Sequence, residues 1–435
     1  MKSIKQSHQF IQDLPDTWTI KIFQDLLVEP VRNGIYKKKE FHGRGQKVIN
    51  MGELFAYDFI SNQEMKRVEL NTNELKNSLV QNGDLLFARR SLVLEGSGKC
   101  SLIVNPSEDT TFESSIIRAR LDKTKASPKF YYFFFHSPMG RSLMASIATQ
   151  TAVSGIRGSD LVQLEIPYPP LPIQEKIADI LSAYDELIEN NTRQIKILEE
   201  MAQLIYREWF VNFRFPGHEQ VKMVDSQLGL IPEGWEVKIL EDVAAINATT
   251  LKKNQLQEIN YIDISSVSTG QIDKIETISF LEAPSRARRI VKHGDIIWST
   301  VRPNRKAYSC ILNPDQNLIV STGFAVITAI NVPYTYLYYA VTTESFVNYL
   351  TKNATGSAYP AVNSDDFKKA KILMASKDIL TQFHTLVEDI FQQKQLAQIE
   401  TLNLRQTRDL LLPKLISGEI NLETLKSPEL ELWVA

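Results

Sequence analysis

The sequence predicts an α+β (mixed α/β) chain built twice over. Two similar globular domains are separated by a long antiparallel two-helix coiled coil, in a pseudo-twofold and circular layout. Three observations predict this. Short motifs return in the same order roughly 206 to 217 residues apart. Each copy alternates short apolar runs with Gly, Pro and Asn punctuation, as strands of an irregular domain do. Each copy then closes on a helical pattern too long to bury its own apolar stripe. The 435 residues are enough for two or three domains with sizeable cores.

The repeat opens with Leu14-Pro15-Asp16-Thr17-Trp18-Thr19-Ile20-Lys21-Ile22, which returns as Ile231-Pro232-Glu233-Gly234-Trp235-Glu236-Val237-Lys238-Ile239. Asn82-Gly83-Asp84-Leu85-Leu86-Phe87 returns as His293-Gly294-Asp295-Ile296-Ile297-Trp298, and each copy continues to a cysteine (Cys100, Cys310) and an Asn-Pro pair. Cysteines at matching places in separate copies are read as core residues of equivalent strands, not as a bonded pair. The expected organisation is a first globular domain over 1–172, a first spacer helix with its linker over 173–216, and a second globular domain over 217–375. A second spacer helix over 376–425 and a C-terminal tail over 426–435 complete it.

The first helix carries a heptad stripe at Ile173, Ile177, Ile180, Tyr184, Leu187, Leu198, Met201 and Ile205, interrupted near Asn191 and Gln194. At 1.5 Å per residue it would be about 55 Å long. Its counterpart shows Ile379, Phe383, Leu386, Ile390, Leu396, Ile399, Leu404 and Leu411, with Pro413 expected to end or kink it and Ser417-Gly418 marking the turn. Two such stripes bury each other most economically. The pairing residues are therefore expected to be Ile177, Ile180, Tyr184, Leu187, Leu198 and Ile205 against Phe383, Leu386, Ile390 and Leu404. A twofold exchange of the halves across the pair makes the helices antiparallel and brings the chain ends together.

Composition excludes several classes. With 43% hydrophobic and 23% charged residues the chain is not broadly disordered. No apolar run approaches the roughly 18–20 residues of a membrane span, and Met1–His8 has no apolar signal core. A cytoplasmic protein with no membrane partner is expected. No Walker loop, dinucleotide fingerprint, metal-spaced His/Cys set or nucleophile elbow occurs. Gly96-Ser97-Gly98-Lys99 reads as a hairpin turn, and Asp58, Glu64 and Lys66 as a solvated face. The expectation is no catalytic residue, no metal and no cofactor on this chain.

Net charge is only −2. It is unevenly spread: 22 Lys/Arg against 18 Asp/Glu over 1–172, but 5 against 8 over 173–216 and 6 against 9 over 376–435. Basic residues cluster in loops of the globular parts. The first copy offers Arg32, Lys37, Lys38, Lys39, His42, Arg44, Gln46 and Lys47, then Arg89 and Arg90 after the Gly-Asp strand. The second offers Arg286, Arg288 and Arg289, then Arg302, Asn304, Arg305, Lys306 and Tyr308 after its own Gly-Asp strand. A small, polar, glycine-bearing element precedes each long helix: Thr149–Arg157, and Ala354–Asn363, which includes Tyr359. Arg grips guanine bidentately, Asn does so with adenine, and Lys holds phosphate. Any one of these charges reads equally well as a solvated surface residue. Their recurrence at equivalent places favours two reading heads on a rigid strut, suited to double-stranded DNA. The alternative is a non-catalytic adapter that bridges protein partners without touching bases.

These motifs together resemble the DNA-specificity subunits of type I restriction–modification systems. The carrying residues are the two Pro-x-x-Trp openings, the two Gly-Asp strands, and Pro167–Pro172 running into Ile173-Gln174-Glu175-Lys176-Ile177. Leu198–Met201 through Tyr206-Arg207-Glu208-Trp209-Phe210 and the ending Leu412-Pro413-Lys414-Leu415-Ile416-Ser417-Gly418 add to them. The resemblance implies two target-recognition domains reading the halves of a bipartite sequence. It also implies docking of two modification (methyltransferase) subunits and of restriction/translocase subunits, with S-adenosylmethionine and ATP bound on those partners. The segment before the second helix, Ile372–Asp378, lacks the prolines of Pro167–Pro172.

Overall fold

The computed structural model describes residues 14–149, 154–252 and 256–422. Gln150–Val153 of the first pre-helix element and the expected tail over 426–435 lie outside the described residues. The chain forms two compact units, one of residues 1–187 with 404–435 and one of residues 188–403. Each long helix therefore contributes to both.

In the first unit a five-stranded sheet runs in the order Arg32–Asn33, Ile116–Arg120, Asp84–Ala88, Cys100–Ile103, Phe59–Ile60. Beside it a three-stranded sheet pairs His42–Ile49 antiparallel with Lys66–Val68 and parallel with Thr110–Phe112. The second unit repeats the plan. Ala244–Ile246, Phe324–Ala329, Ile296–Ser299 and Tyr308–Cys310 form one sheet. In the other, Glu258–Ile262 pairs antiparallel with Glu276–Ser279 and parallel with Leu318–Ser321. In both units the strand after the opening tryptophan pairs antiparallel with the strand just before the long helix: Thr19–Ile22 with Glu165–Tyr168, and Glu236–Ile239 with Lys371–Met374. The duplication read from the motifs is a duplication of topology. Cys100 and Cys310 sit in equivalent strands and are free thiols.

An element with no counterpart in the sequence reading fills each core. Pro128–His136 is a helix whose six aromatic residues, Phe130 to Phe135, are all buried. Phe135 meets Phe23 and Phe87 edge-on, with ring centroids 5.4 and 4.9 Å apart. Tyr334–Ala340 takes the same place in the second unit. An unbroken apolar run has no amphipathic period, because a helix buried on every side has no polar face to mark.

The first long helix spans Leu171–Tyr206 and the second Lys377–Ile416. Pro172 falls in the first turn of its helix, where a missing N–H leaves nothing unsatisfied. Gln174, fully buried, accepts the Ser127 N–H (2.9 Å) and donates to the Pro169 carbonyl (2.8 Å), so it fastens the helix start to the aromatic helix. Pro413 does not end the second helix, one of the two outcomes expected of it. It lies in the last turn, and the helix continues to Ile416 before Gly418 (φ 74°) turns the chain.

Within each unit the two helices pair antiparallel. In the first, Asp185 bonds Arg408 at 2.6 Å while Ile173, Ile177 and Leu181 share a core with Leu411, Leu415 and Ile416. In the second, Glu199 bonds Lys394 at 2.6 Å and, further along, Tyr206 and Trp209 meet the Phe383 ring with centroids 6.0 Å apart. Ile177 and Ile180 are buried, Leu198 and Phe383 likewise, with Tyr184, Ile205, Ile390 and Leu404 half-buried. Leu187 and Leu386 are corrections: they stand 37% and 49% exposed, and their neighbours Ile188 and Val387 are buried instead. Met201 likewise yields to Ala202, and Asn191 is buried. The drift of a 3.6-residue helix against a strict seven-residue count shifts the face by one residue over this length.

The first and last described segments pack together, as the circular layout requires. Leu14 and Trp18 share one core with Leu415, Ile420 and Leu422. A side chain added at Gly418 would collide with Pro15 and press on Trp18. In the second unit Trp235 takes the matching seat against Phe210, Phe213 and Phe215, just past the end of the first helix.

Candidate nucleic-acid interface

The Gly-Asp motif builds the same turn twice. Gly83 and Gly294 take φ of 93° and 81°, a region that a Cβ disfavours. The following aspartate then closes the turn: Asp84 accepts the Gln81 N–H at 2.7 Å and Asp295 the Lys292 N–H at 2.8 Å. Both carboxylates are buried, but their partners differ. Arg120 grips Asp84 bidentately (2.7 and 2.8 Å), and Arg118 and Arg120 also bond Glu29 at 2.9 and 2.7 Å. Asp295 instead accepts the Thr328 hydroxyl at 2.6 Å, and no cation bridges it among the described residues.

Burial therefore pushes the Asp295 carboxyl above its ordinary range, against the pull of Thr328 and the Lys292 N–H. A carboxyl raised on folding favours the folded state when protonated, so its contribution is lost as pH rises through its folded pKa. Asp295→Asn removes that slope. Between about pH 4 and pH 7 the variant's thermal midpoint should gain on the native chain's as pH rises.

From this turn the strand leads to the loop that carries Arg89 and Arg90, or Arg302 to Lys306. The backbone then brings the pre-helix element alongside. In the first copy Arg90 pairs with Gly155 and the Ile156 N–H donates to the Arg89 carbonyl at 3.0 Å, and Arg90 and Arg157, on these adjoining segments, are both exposed. In the second copy the Arg302 N–H donates to the Pro360 carbonyl at 2.7 Å and Val362 N–H to Thr300 at 2.9 Å. The Arg302 guanidinium donates to the Ala358 carbonyl (3.1 Å) and lies 4.6 Å from the centroid of the Tyr359 ring, itself 69% exposed. Two motifs far apart in sequence thus make one composite surface, and they do so at the same place in both copies.

The loop 302–306 is pinned at both ends. Arg302 and Lys306 adopt φ of 51° and 55°, a left-handed conformation that costs a non-glycine residue free energy and is held here by other contacts. Lys306 pairs with Glu344. Asn304 and Arg305 between them are exposed. Arg286 joins this surface through its carbonyl, which accepts the Thr322 N–H beside Gly323, whose own carbonyl accepts Thr300.

Several predicted contacts are otherwise engaged. Lys37 bonds Glu74 at 2.5 Å and lies 5.0 Å from the Phe41 ring centroid. Lys47 and Arg67 converge on Glu108 at 3.1 and 2.8 Å, and together with Arg67 first they hold that carboxyl below its ordinary range. Arg44 bonds Glu69 at 2.8 Å. Arg288 stacks on Phe280, 5.2 Å from its centroid, and Arg289, in a sheet strand, has its Nε buried and its pKa lowered by that burial. Lys38 and Lys39 are exposed. Among the described residues no cluster of His, Cys, Asp and Glu could hold a metal ion, and no helix is long and apolar enough to cross a membrane.

A family model, the type I restriction modification DNA specificity domain, matches residues 15–200 and matches again over 232–401. The chain belongs to that family. Both copies of the DNA specificity domain thus coincide with the repeat, and the resemblance read from the motifs is borne out. One relative, the type I restriction enzyme MjaIX specificity subunit of Methanocaldococcus jannaschii, is 26% identical over 95% of this chain and 96% of its own. The EcoKI specificity subunit of Escherichia coli is 31% identical over 38% of this chain and 36% of its own. A solved structure, the type I restriction–modification S subunit from M. genitalium, covers 93% of this chain and 96% of its own with a TM-score of 0.59 at 16% identity, which shows a shared fold.

Proposed function

We propose that this chain is the DNA sequence-recognition subunit of a type I restriction–modification complex. Each copy reads one half of a bipartite duplex target, and the paired helices act as spacer and docking surface for two modification subunits and the restriction/translocase subunits. The recognition domains are 1–172 and 217–375, joined by the helical segments 173–216 and 376–425. The chain itself performs no catalysis. S-adenosylmethionine and ATP belong to its partners, and the whole assembly works in the cytoplasm.

One observation carries this reading: the post-Gly-Asp loop and the pre-helix element are paired through their backbones in both copies, and both place Arg side chains on the resulting surface. Arg90 and Arg157 in the first copy, and Asn304 and Arg305 in the second, are the base-reading candidates. Lys38, Lys39 and Arg286 are phosphate contacts. Arg302 and Tyr359 position the second loop, while Lys37, Arg44, Lys47, Arg288 and Arg289 serve the fold first.

Selection from a pool of random duplex DNA by the full chain at low salt tests the reading. A gapped, two-part sequence is the expected outcome. Arg305→Ala or Asn304→Ala should relax selectivity in one part by about five- to hundredfold, the worth of one bidentate contact. Lys38→Ala and Lys39→Ala should weaken all sequences alike and reduce the salt slope by about one each. Partner assembly without any sequence choice would favour the adapter.

A further inference from the structure

The loop after the Gly-Asp strand differs in chemistry between the copies. In the second copy its tip is Asn304-Arg305. In the first it is Leu92-Val93, 89% and 58% exposed, two residues on from the exposed Arg90. A single exposed leucine needs no explanation. Here two adjacent aliphatic side chains project from a loop that is otherwise fixed. The Ser91 hydroxyl accepts the Val93 N–H at 3.2 Å, and Gly96, Ser97 and Gly98 are buried beneath the tip. Gly98 N–H donates to the Ala88 carbonyl at 2.8 Å, and the Arg141 guanidinium donates to the Ser97 carbonyl at 3.4 Å and to Glu95. On its other flank the loop is paired with Ser154–Gly155. A flexible loop would fold its leucine inward; this one holds it out.

We infer that Leu92 and Val93 are specificity-determining residues that read thymine. The inference rests on the DNA-reading function proposed above. The apolar group a duplex offers in its major groove is the thymine 5-methyl, and an aliphatic side chain beside an arginine is the complement of that edge next to phosphate or guanine. The two copies then differ in reading chemistry: the first adds apolar contact through Leu92 and Val93 to its arginines Arg90 and Arg157, and the second reads by hydrogen bonds through Asn304 and Arg305. Nothing in the basic-residue pattern of the sequence could have found this, because the reader carries no charge.

The test uses the full chain and the sequence it selects from random duplex DNA. The half-site that answers to the first copy should contain thymine. Replacing that thymine by uracil, which removes only the methyl, should weaken binding about fourfold, the worth of one buried methylene. Leu92→Ser with Val93→Ser should erase the uracil effect and the thymine preference in that half-site while leaving the other half-site unchanged. Leu92→Met should keep both. Three results overturn the inference: no thymine in that half-site, an equal uracil penalty in native chain and serine variant, or an unaltered preference in the serine variant. A native chain that selects no sequence at all overturns the DNA-reading function itself, which is a different outcome.

Discussion

Phe383→Ala should destabilise the second unit by about 3–5 kcal/mol, the usual cost of emptying a phenylalanine site in a core. The Phe383 ring is fully buried, with Phe210 at 5.0 Å and Tyr206 and Trp209 at 6.0 Å between centroids. It therefore joins the start of one long helix to the end of the other and to the globular core. Leu386→Ala, one turn on, should cost no more than about 0.5 kcal/mol, as surface substitutions do. Denaturant midpoints of the two variants decide the matter. Equal losses would restore the sequence-derived seam and refute the one seen here.

Asp84→Ala should cost about 3–5 kcal/mol, because it strips the carboxylate from two arginines that are largely shut off from water. Arg118 and Arg120 would be left with Glu29 as their one shared carboxylate, beside the Leu79 carbonyl. The equivalent change in the second copy behaves differently. Asp295 has a hydroxyl and an N–H as partners and no bonded cation among the described residues, so Asp295→Asn should stay within about 1 kcal/mol at neutral pH. Thermal unfolding of both variants tests the pair. A large loss in each would mean that the aspartate serves the turn alone, whatever neutralises it.

The parts of this molecule that were legible in its sequence are those where a local rule was also the global one. Gly83-Asp84 and Gly294-Asp295 announce a turn because the glycine's φ and the carboxylate's bond to the residue three places back are both local. The long helices announced themselves by period, though only to within one residue. The aromatic helices at 128–136 and 334–340 were invisible, since a run buried on all sides has no period to read. The roles of the basic residues were least legible. Lys37, Arg44 and Lys47 looked free because their partners Glu74, Glu69 and Glu108 lie 25 to 61 residues away and meet them only after folding. The tether of Arg302 to Ala358 and Tyr359 was hidden for the same reason, since the sequence places them more than fifty positions off.

Pro15 and Trp18 rest on the turn at Gly418, in the way that Trp235 rests on Phe215. The same tryptophan seat is thus made once from two segments some four hundred positions apart and once from a single continuous stretch, so the packing is indifferent to how the chain is threaded through it.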